Sequence, residues 1–487
     1  MITAKHSQSS DGAARTWPHG YVSERALRPR NAGRNARAHA RRGPTPFTGK
    51  RSGIALVMVI TSIAILAVLV AEMLQNTTTD FHVARNERDR LKAEYLAKSG
   101  LNLTRLLIAA EPDIRRVVAP MYQMLIGRAP PQLNVWDFGD ALLSPFANLK
   151  AAKSMATDTG IDFNLMEGVK DTGGLFEVIT VPENSKINLN RPLFLQNDAA
   201  KKSTAMQLFA LLGGYQSPDS PYDPMFSARD ADGQYTTRLD VVSAMIDWWD
   251  WDEDRTVFDP GDNSIATGGS EDDVYTQFAD AYAVKNAPFD SLEEMRLIRG
   301  VGDDFWSTFV EGDRDDPRTR KVTIYGSGAV NVNLAPADVL LVRLCSFVTA
   351  QPLCQVPIQQ IAFIQLFSTV RAMLPIALFT SPDDFLNFIS GQKGSGKDLY
   401  TALSTMLGPT NPLMAWTPVV IPPDQRQKIS ASFLTEASIY TIQSTGRVGE
   451  TQAKMTMVVN FHKAWVPPPG VPGGLPKLGA VHYYRLE

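Results

Sequence analysis

The chain has 487 residues, 44% of them apolar and 20% charged, with a formal net charge of −3. The apolar content excludes a wholly disordered chain, the near-neutral charge excludes a body made as a basic nucleic-acid binder, and the length suffices for an anchor and two or three folded units. The charge is uneven, with a basic N-terminal stretch before an acidic body.

Residues 1–53 are poor in apolar side chains and read as a disordered leader. In it Arg34, Arg37, Arg41, Arg42, Lys50 and Arg51 stand almost without acids. Residues 54–71 then carry no charge, and Thr61 and Ser62 are their only hydroxyls. As a helix this run is about 27 Å long, enough to cross a hydrocarbon core. Positive charge before a lone span places the N-terminus in the cytoplasm and the body across the membrane. Ala71-Glu72-Met73-Leu74-Gln75 offers no small-x-small cleavage site, so the span is expected to stay on the protein.

Lys50-Arg51-Ser52-Gly53 followed directly by Ile54-Ala55-Leu56-Val57-Met58 resembles a prepilin leader, which a prepilin peptidase cuts between Gly53 and Ile54. Glu72 to Ala110 contains no Pro and only Gly100, so one long helix is expected over 54–115. Leu91, Tyr95 and Leu96 recur on it at helical spacing. Type IV pilin-like subunits begin in this way. Their fifth mature residue is normally Glu, paired with the amino terminus of a neighbour; here it is Met58. A carboxylate in the bilayer is costly unless paired. A subunit with nobody ahead of it has no amine to pair with, so Met58 points to a tip subunit.

Residues 116–191 read as the start of an α/β domain, loop-rich over 119–171 and a strand over 175–181. Lys186-Ile187-Asn188-Leu189-Asn190-Arg191-Pro192 recurs as Ala329-Val330-Asn331-Val332-Asn333-Leu334-Ala335-Pro336. Each copy reads as an alternating strand ending at a Pro that can open a helix. Helical material is expected after each. The organisation is then a helical insertion at 192–320, a returning strand at 321–336, a second helical segment at 337–425, and C-terminal strands with a Pro/Gly-rich tail at 426–487. In the last, 438–445 and 451–461 flank Gly446-Arg447-Val448-Gly449-Glu450 as a hairpin, and 480–486 adds an edge strand. The expected fold class is α+β, a pilin-like long N-terminal helix packed on an antiparallel sheet with large α-helical insertions.

Carboxylates crowd Ile246-Asp247-Trp248-Trp249-Asp250-Trp251-Asp252-Glu253-Asp254 and Ser270-Glu271-Asp272-Asp273, with only Arg255 between the groups. Such groups repel unless solvated, protonated or bridged by a cation, and hard oxygen ligands suit calcium. Asp250, Asp252 and Asp254 resemble the start of an EF-hand loop, but Arg255 and Gly261 occupy its sixth and twelfth positions, so it is not one. Three indoles beside the loop argue against full solvation.

These two acidic stretches, Asn286-Ala287-Pro288-Phe289-Asp290-Ser291-Leu292-Glu293-Glu294-Met295-Arg296-Leu297-Ile298-Arg299-Gly300-Val301, the Gly53 junction, Met58 and the paired Asn-x-Asn copies together resemble the type II secretion system minor pseudopilin K family (GspK). The resemblance implies a pilin-like α/β fold with a large helical insertion and calcium held there. Its ligands would come from Asp250, Asp252, Asp254, Glu271, Asp272 and Asp273. It implies a cap on a short periplasmic pseudopilus, formed with minor pseudopilins I and J (and H) and the major pseudopilin. A prepilin peptidase and an inner-membrane assembly platform would serve it, with one span in the inner membrane and the body in the periplasm. The six histidines are scattered and no Ser-His-Asp or Cys-His set can be argued, so no enzyme is expected.

Two motifs invite other readings. Gly391-Gln392-Lys393-Gly394-Ser395-Gly396-Lys397-Asp398 matches a phosphate-binding loop, but Asp398 replaces the hydroxyl and the preceding 383–390 reads as helix, not strand. Leu297–Asp304 resembles a helix-hairpin-helix, the basis of an alternative reading as a DNA-uptake protein. Asp303 and Asp304 crowd the place where phosphate would dock, so no nucleic-acid partner is expected. A type IV pilus minor pilin is the other alternative. Cys345 and Cys354, the only cysteines, either close a short loop in an oxidising compartment or remain reduced.

Overall fold

The computed structural model describes residues 52–126, 129–138, 174–190, 198–227, 229, 235–276, 280–313, 316–373, 377–392, 399–408, 410–461 and 478–487. The expected leader, most of 119–171 beyond the helix, Pro192, the Lys393–Asp398 half of the phosphate-loop motif and most of the Pro/Gly-rich tail lie outside them. The chain divides into two units, Met1–Asn76 and Thr77–Glu487.

Helix α1 runs over Ser52–Ile126 as one element of 75 residues. It outlasts the expected end at 115 and carries Pro112 and Pro120 inside it. Each proline removes one backbone bond and crowds the carbonyl four residues before it, and side-chain ties hold this end. Glu111 accepts from Leu133 N at 2.9 Å, and its i,i+4 partner Arg115 also pairs with Glu436. From Ile54 to Leu74 the apolar side chains of α1 are exposed. Among the described residues α1 is the one helix long and apolar enough to cross a membrane.

Further along, α1 buries Ala93, Leu96, Ala97, Leu101, Thr104 and Ile108 at i, i+3 and i+4 steps. Of the helically spaced Leu91, Tyr95 and Leu96, Leu96 is buried while Leu91 and Tyr95 are 53% and 69% exposed; small residues beside Leu96 complete the face against the sheet. Two glycines make the approach possible. A Cβ on Gly446 would lie 2.0 Å from the Ala93 carbonyl, and one on Gly100 would lie 2.4 Å from Ser444 Oγ.

Strand β1 (Gly174–Pro182) is followed by the short β2 (Ile187–Asn188), α2 (Asp198–Leu211) and α3 (Arg238–Asp247). Then come the hairpin β3 (Asp254–Asp259) and β4 (Ser264–Ser270), and the short β5 (Val322–Thr323) and β6 (Val330–Asn331). Helices α4 (Ala337–Cys345), α5 (Pro357–Met373), α6 (Pro382–Ile389), α7 (Leu399–Leu407) and α8 (Pro423–Ser430) lead to β7 (Phe433–Leu434). The chain closes with β8 (Ile439–Val448), β9 (Thr451–Asn460) and β10 (Ala480–Leu486). The main sheet is antiparallel in the order β1-β8-β9-β10. Its hairpin turns at Gly449-Glu450, with Val448 paired to Thr451; Gly446 and Arg447 belong to the strand. The architecture is α+β, with a long N-terminal helix on an antiparallel sheet and helical insertions between β1 and β8.

The recurring Asn-x-Asn motif marks an internal duplication. Each copy forms a two-residue strand rather than the longer one expected. β2 pairs in parallel with β5, and β6 pairs in parallel with β7. Asn188 Oδ1 accepts from Asn190 N at 2.7 Å, and Asn331 Oδ1 from Asn333 N at 2.8 Å. The second Asn of each copy then clamps a distant phenylalanine by both backbone groups. Asn190 holds Phe289 N at 3.0 Å and O at 2.9 Å; Asn333 holds Phe379 N and O, each at 2.9 Å. Each phenylalanine is followed two residues later by a serine, Ser291 or Ser381, that starts a short helix, and then by a left-handed glycine, Gly300 or Gly391. Pro336 caps α4, as the second copy implied. The β3–β4 hairpin follows the first Asn-x-Asn copy and has no counterpart after the second among the described residues.

Cys345 and Cys354 form a disulfide at the end of α4.

Candidate metal centre

Helix α3 is set by a capping box, Thr237 with Asp240, and ends at Asp247. A carboxylate there opposes the helix dipole. The chain then turns through Trp248 and Trp249, both buried, while Trp251 is 65% exposed. Strand β4 returns beside β3, pairing Ser270 with Asp254 and placing Glu271 N on the Glu253 carbonyl at 3.3 Å. The hairpin therefore brings Glu271 back to the start of the acidic loop, in place of the helix expected there.

Asp247, Asp250 and Glu271 converge, one oxygen from each lying within 4.8 Å of the others, and all three residues are buried. Asp247 Oδ1 accepts from Thr256 N at 2.8 Å. Asp250 Oδ2 lies 2.6 Å from Lys201 Nζ, a cation that the sequence around the loop did not reveal because it comes from α2. Both oxygens of Glu271 are buried with no hydrogen-bond partner. Burial pushes Glu271 up to about 9, and the charges of Asp247, Asp250 and Asp252 add to it. Burial lifts Asp247 to about 7 against the pull of Thr256, and raises Asp250 as well.

The other expected ligands stand apart from this triad. Asp252 is half exposed, accepts from Asp254 N at 3.2 Å and pairs with Lys201 at 2.7 Å. Asp254 lies exposed on β3. Asp272 Oδ1 accepts from Val284 N at 2.9 Å, and Asp273 is exposed. Of the six named from sequence, Asp250 and Glu271 enter the cluster. Asp247 was missed, although its i,i+3 spacing from Asp250 and its place at a helix C-terminus mark it. Asn286 ties the acidic loop from outside it. Its Nδ2 donates to the Asp252 carbonyl at 3.0 Å, its φ is +47°, and its Oδ1 is buried without a partner. The donor set is entirely oxygen, and buried unpartnered carboxylate oxygens fit a hard divalent cation such as calcium better than a soft one.

At the hairpin resembling helix-hairpin-helix, Gly300 is left-handed, while Asp303 is exposed and pairs with Arg296 at 2.7 Å. The segment before the phosphate-loop motif is the helix α6.

No protein-family model matches the chain, and no curated protein matches it. Among solved structures it is similar to a chain of the GspK-GspI-GspJ complex from the enterotoxigenic Escherichia coli type 2 secretion system. The likeness has 14% identity and a TM-score of 0.36, and covers 65% of this chain and 80% of that one. A likeness at this level assigns no ligand or activity.

Proposed function

We propose that the chain is a non-enzymatic minor pseudopilin at the tip of a type II secretion pseudopilus, where it helps to initiate and cap the fibre for protein export across the outer membrane. The observation that carries this reading is α1. Its first part exposes an uncharged apolar surface that water would penalise, and its later part lays small residues against the sheet. One element thus serves a bilayer and a folded body.

In this reading a prepilin peptidase cuts between Gly53 and Ile54 and leaves residues 54–71 in the inner membrane, with the body in the periplasm. The Cys345–Cys354 disulfide supports an oxidising compartment. Met58 is consistent with a first subunit, which has no preceding amine to neutralise. Exposed Leu91 and Tyr95 give α1 an apolar contact for the helices of minor pseudopilins I and J, with H, and then of the major pseudopilin on the inner-membrane platform. The two inserted helical units add bulk that a repeating subunit would have to accommodate, which favours a cap over a repeat. Calcium, held by Asp247, Asp250 and Glu271 with oxygens available from Asn286 and the loop, neutralises the acidic turn and stabilises the folded form by binding it preferentially.

Co-expression with pseudopilins I and J tests the assignment. The detergent-solubilised chain is expected to co-purify with both as a defined complex. Failure to associate with either, under conditions where those two associate with each other, contradicts it.

A further inference from the structure

Resting on the reading of Asp247, Asp250 and Glu271 as a cation site, we infer that Lys201 is that site's internal competitor, its ammonium exchanging with the divalent cation at Asp250. Lys201 stands on α2, far in sequence from the acidic loop, yet its Nζ bridges Asp250 Oδ2 at 2.6 Å and Asp252 Oδ2 at 2.7 Å. The other close group facing Asp250 is the Glu271 carboxyl, an acid rather than a cation. An ammonium and a divalent ion at contact distance from one carboxylate repel each other strongly in a buried setting. A cation entering the triad therefore displaces the lysine.

The surroundings supply a route for that displacement. The Asp250 side chain is 2% exposed and the Asp252 side chain 50% exposed, so the two partners of Lys201 lie at different depths. A lysine has an unbranched stem with freely rotating bonds. Its ammonium can withdraw from the buried partner to the outer one without movement of α2. The lysine thus holds the loop together when divalent cation is scarce. It also keeps the affinity below what the carboxylates alone would give.

The test uses the detergent-solubilised full chain, titrated with calcium chloride by calorimetry and melted in chelator. Lys201→Met is expected to bind calcium at least about tenfold more tightly than the wild type and to melt at a lower temperature in chelator. Lys201→Arg, which keeps the charge, is expected to bind no more tightly than the wild type. If Lys201→Met does not fold, Lys201→Gln carries the same expectation. Calcium binding to the wild type with no gain in the neutral variants overturns the exchange and leaves the metal centre standing. Absence of binding by all forms, with the neutral variants melting lower, makes the lysine a permanent counter-ion and overturns both.

Discussion

Glu271 places a carboxylate where desolvation and three neighbouring acids oppose its charge, and neither of its oxygens is hydrogen-bonded. In chelator, Glu271→Gln at pH 8 should stabilise the chain by about 1–2 kcal/mol, less than the full shift implies because solvent screens part of the repulsion. It should also abolish most of the calcium-dependent rise in melting temperature. A variant that keeps the calcium response removes Glu271 from the ligand set. The pH dependence follows from the same groups. Glu271 at about 9 and Asp247 at about 7 stand above their ordinary values of 4.5 and 3.8, so the folded chain holds protons that the unfolded chain releases. Stability in chelator should therefore be greatest near pH 4–5 and fall as pH rises through 7 towards 9. Calcium needs these groups ionised, so its binding should tighten over that range and release protons at pH 7. Calorimetry in buffers of different ionisation enthalpy reads that release, and a buffer-independent heat contradicts it.

At the scale of elements, α1 and the Asn clamps decide the architecture. Gly446→Ala puts a methyl 2.0 Å from the Ala93 carbonyl and forces helix and sheet apart. The expected cost is about 1–3 kcal/mol, read as a lower melting temperature of the detergent-solubilised chain. Asn333→Ala removes hydrogen bonds to Phe379 N and O and leaves buried backbone groups unpaired. The cost should be about 2–3 kcal/mol, with hydrogen-exchange protection lost first around Phe379 and α6. Asn190→Ala should act in the same way around Phe289. The long helix, β1, the β8–β9 hairpin and the β10 edge were legible because each rests on a local signal: an apolar run, period-two alternation, a turn. The buried face of α1 was not legible, because Ala93, Ala97 and Gly100 carry little apolar signal and are chosen for closeness. The duplication showed only as a repeated tripeptide, since its meaning lies in hydrogen bonds to residues 99 and 46 positions away.

For the whole molecule, the acidic loop shows where sequence reading reaches its limit. The density of carboxylates was visible, but the hairpin that selects Glu271, and the distant helix that supplies Lys201, are tertiary facts. The segments after the two Asn-x-Asn copies share one plan, and among the described residues only the first carries the acidic hairpin, so the charge cluster is an addition to a duplicated frame. What becomes of the two ends of the apolar segment decides whether this body is a retained, membrane-held subunit. The most direct measurement is the N-terminal sequence and intact mass of the protein isolated from native membranes. A chain that begins at Ile54 and keeps the apolar segment is predicted. A chain beginning upstream of Gly53, or one that has lost residues 54–71, contradicts it.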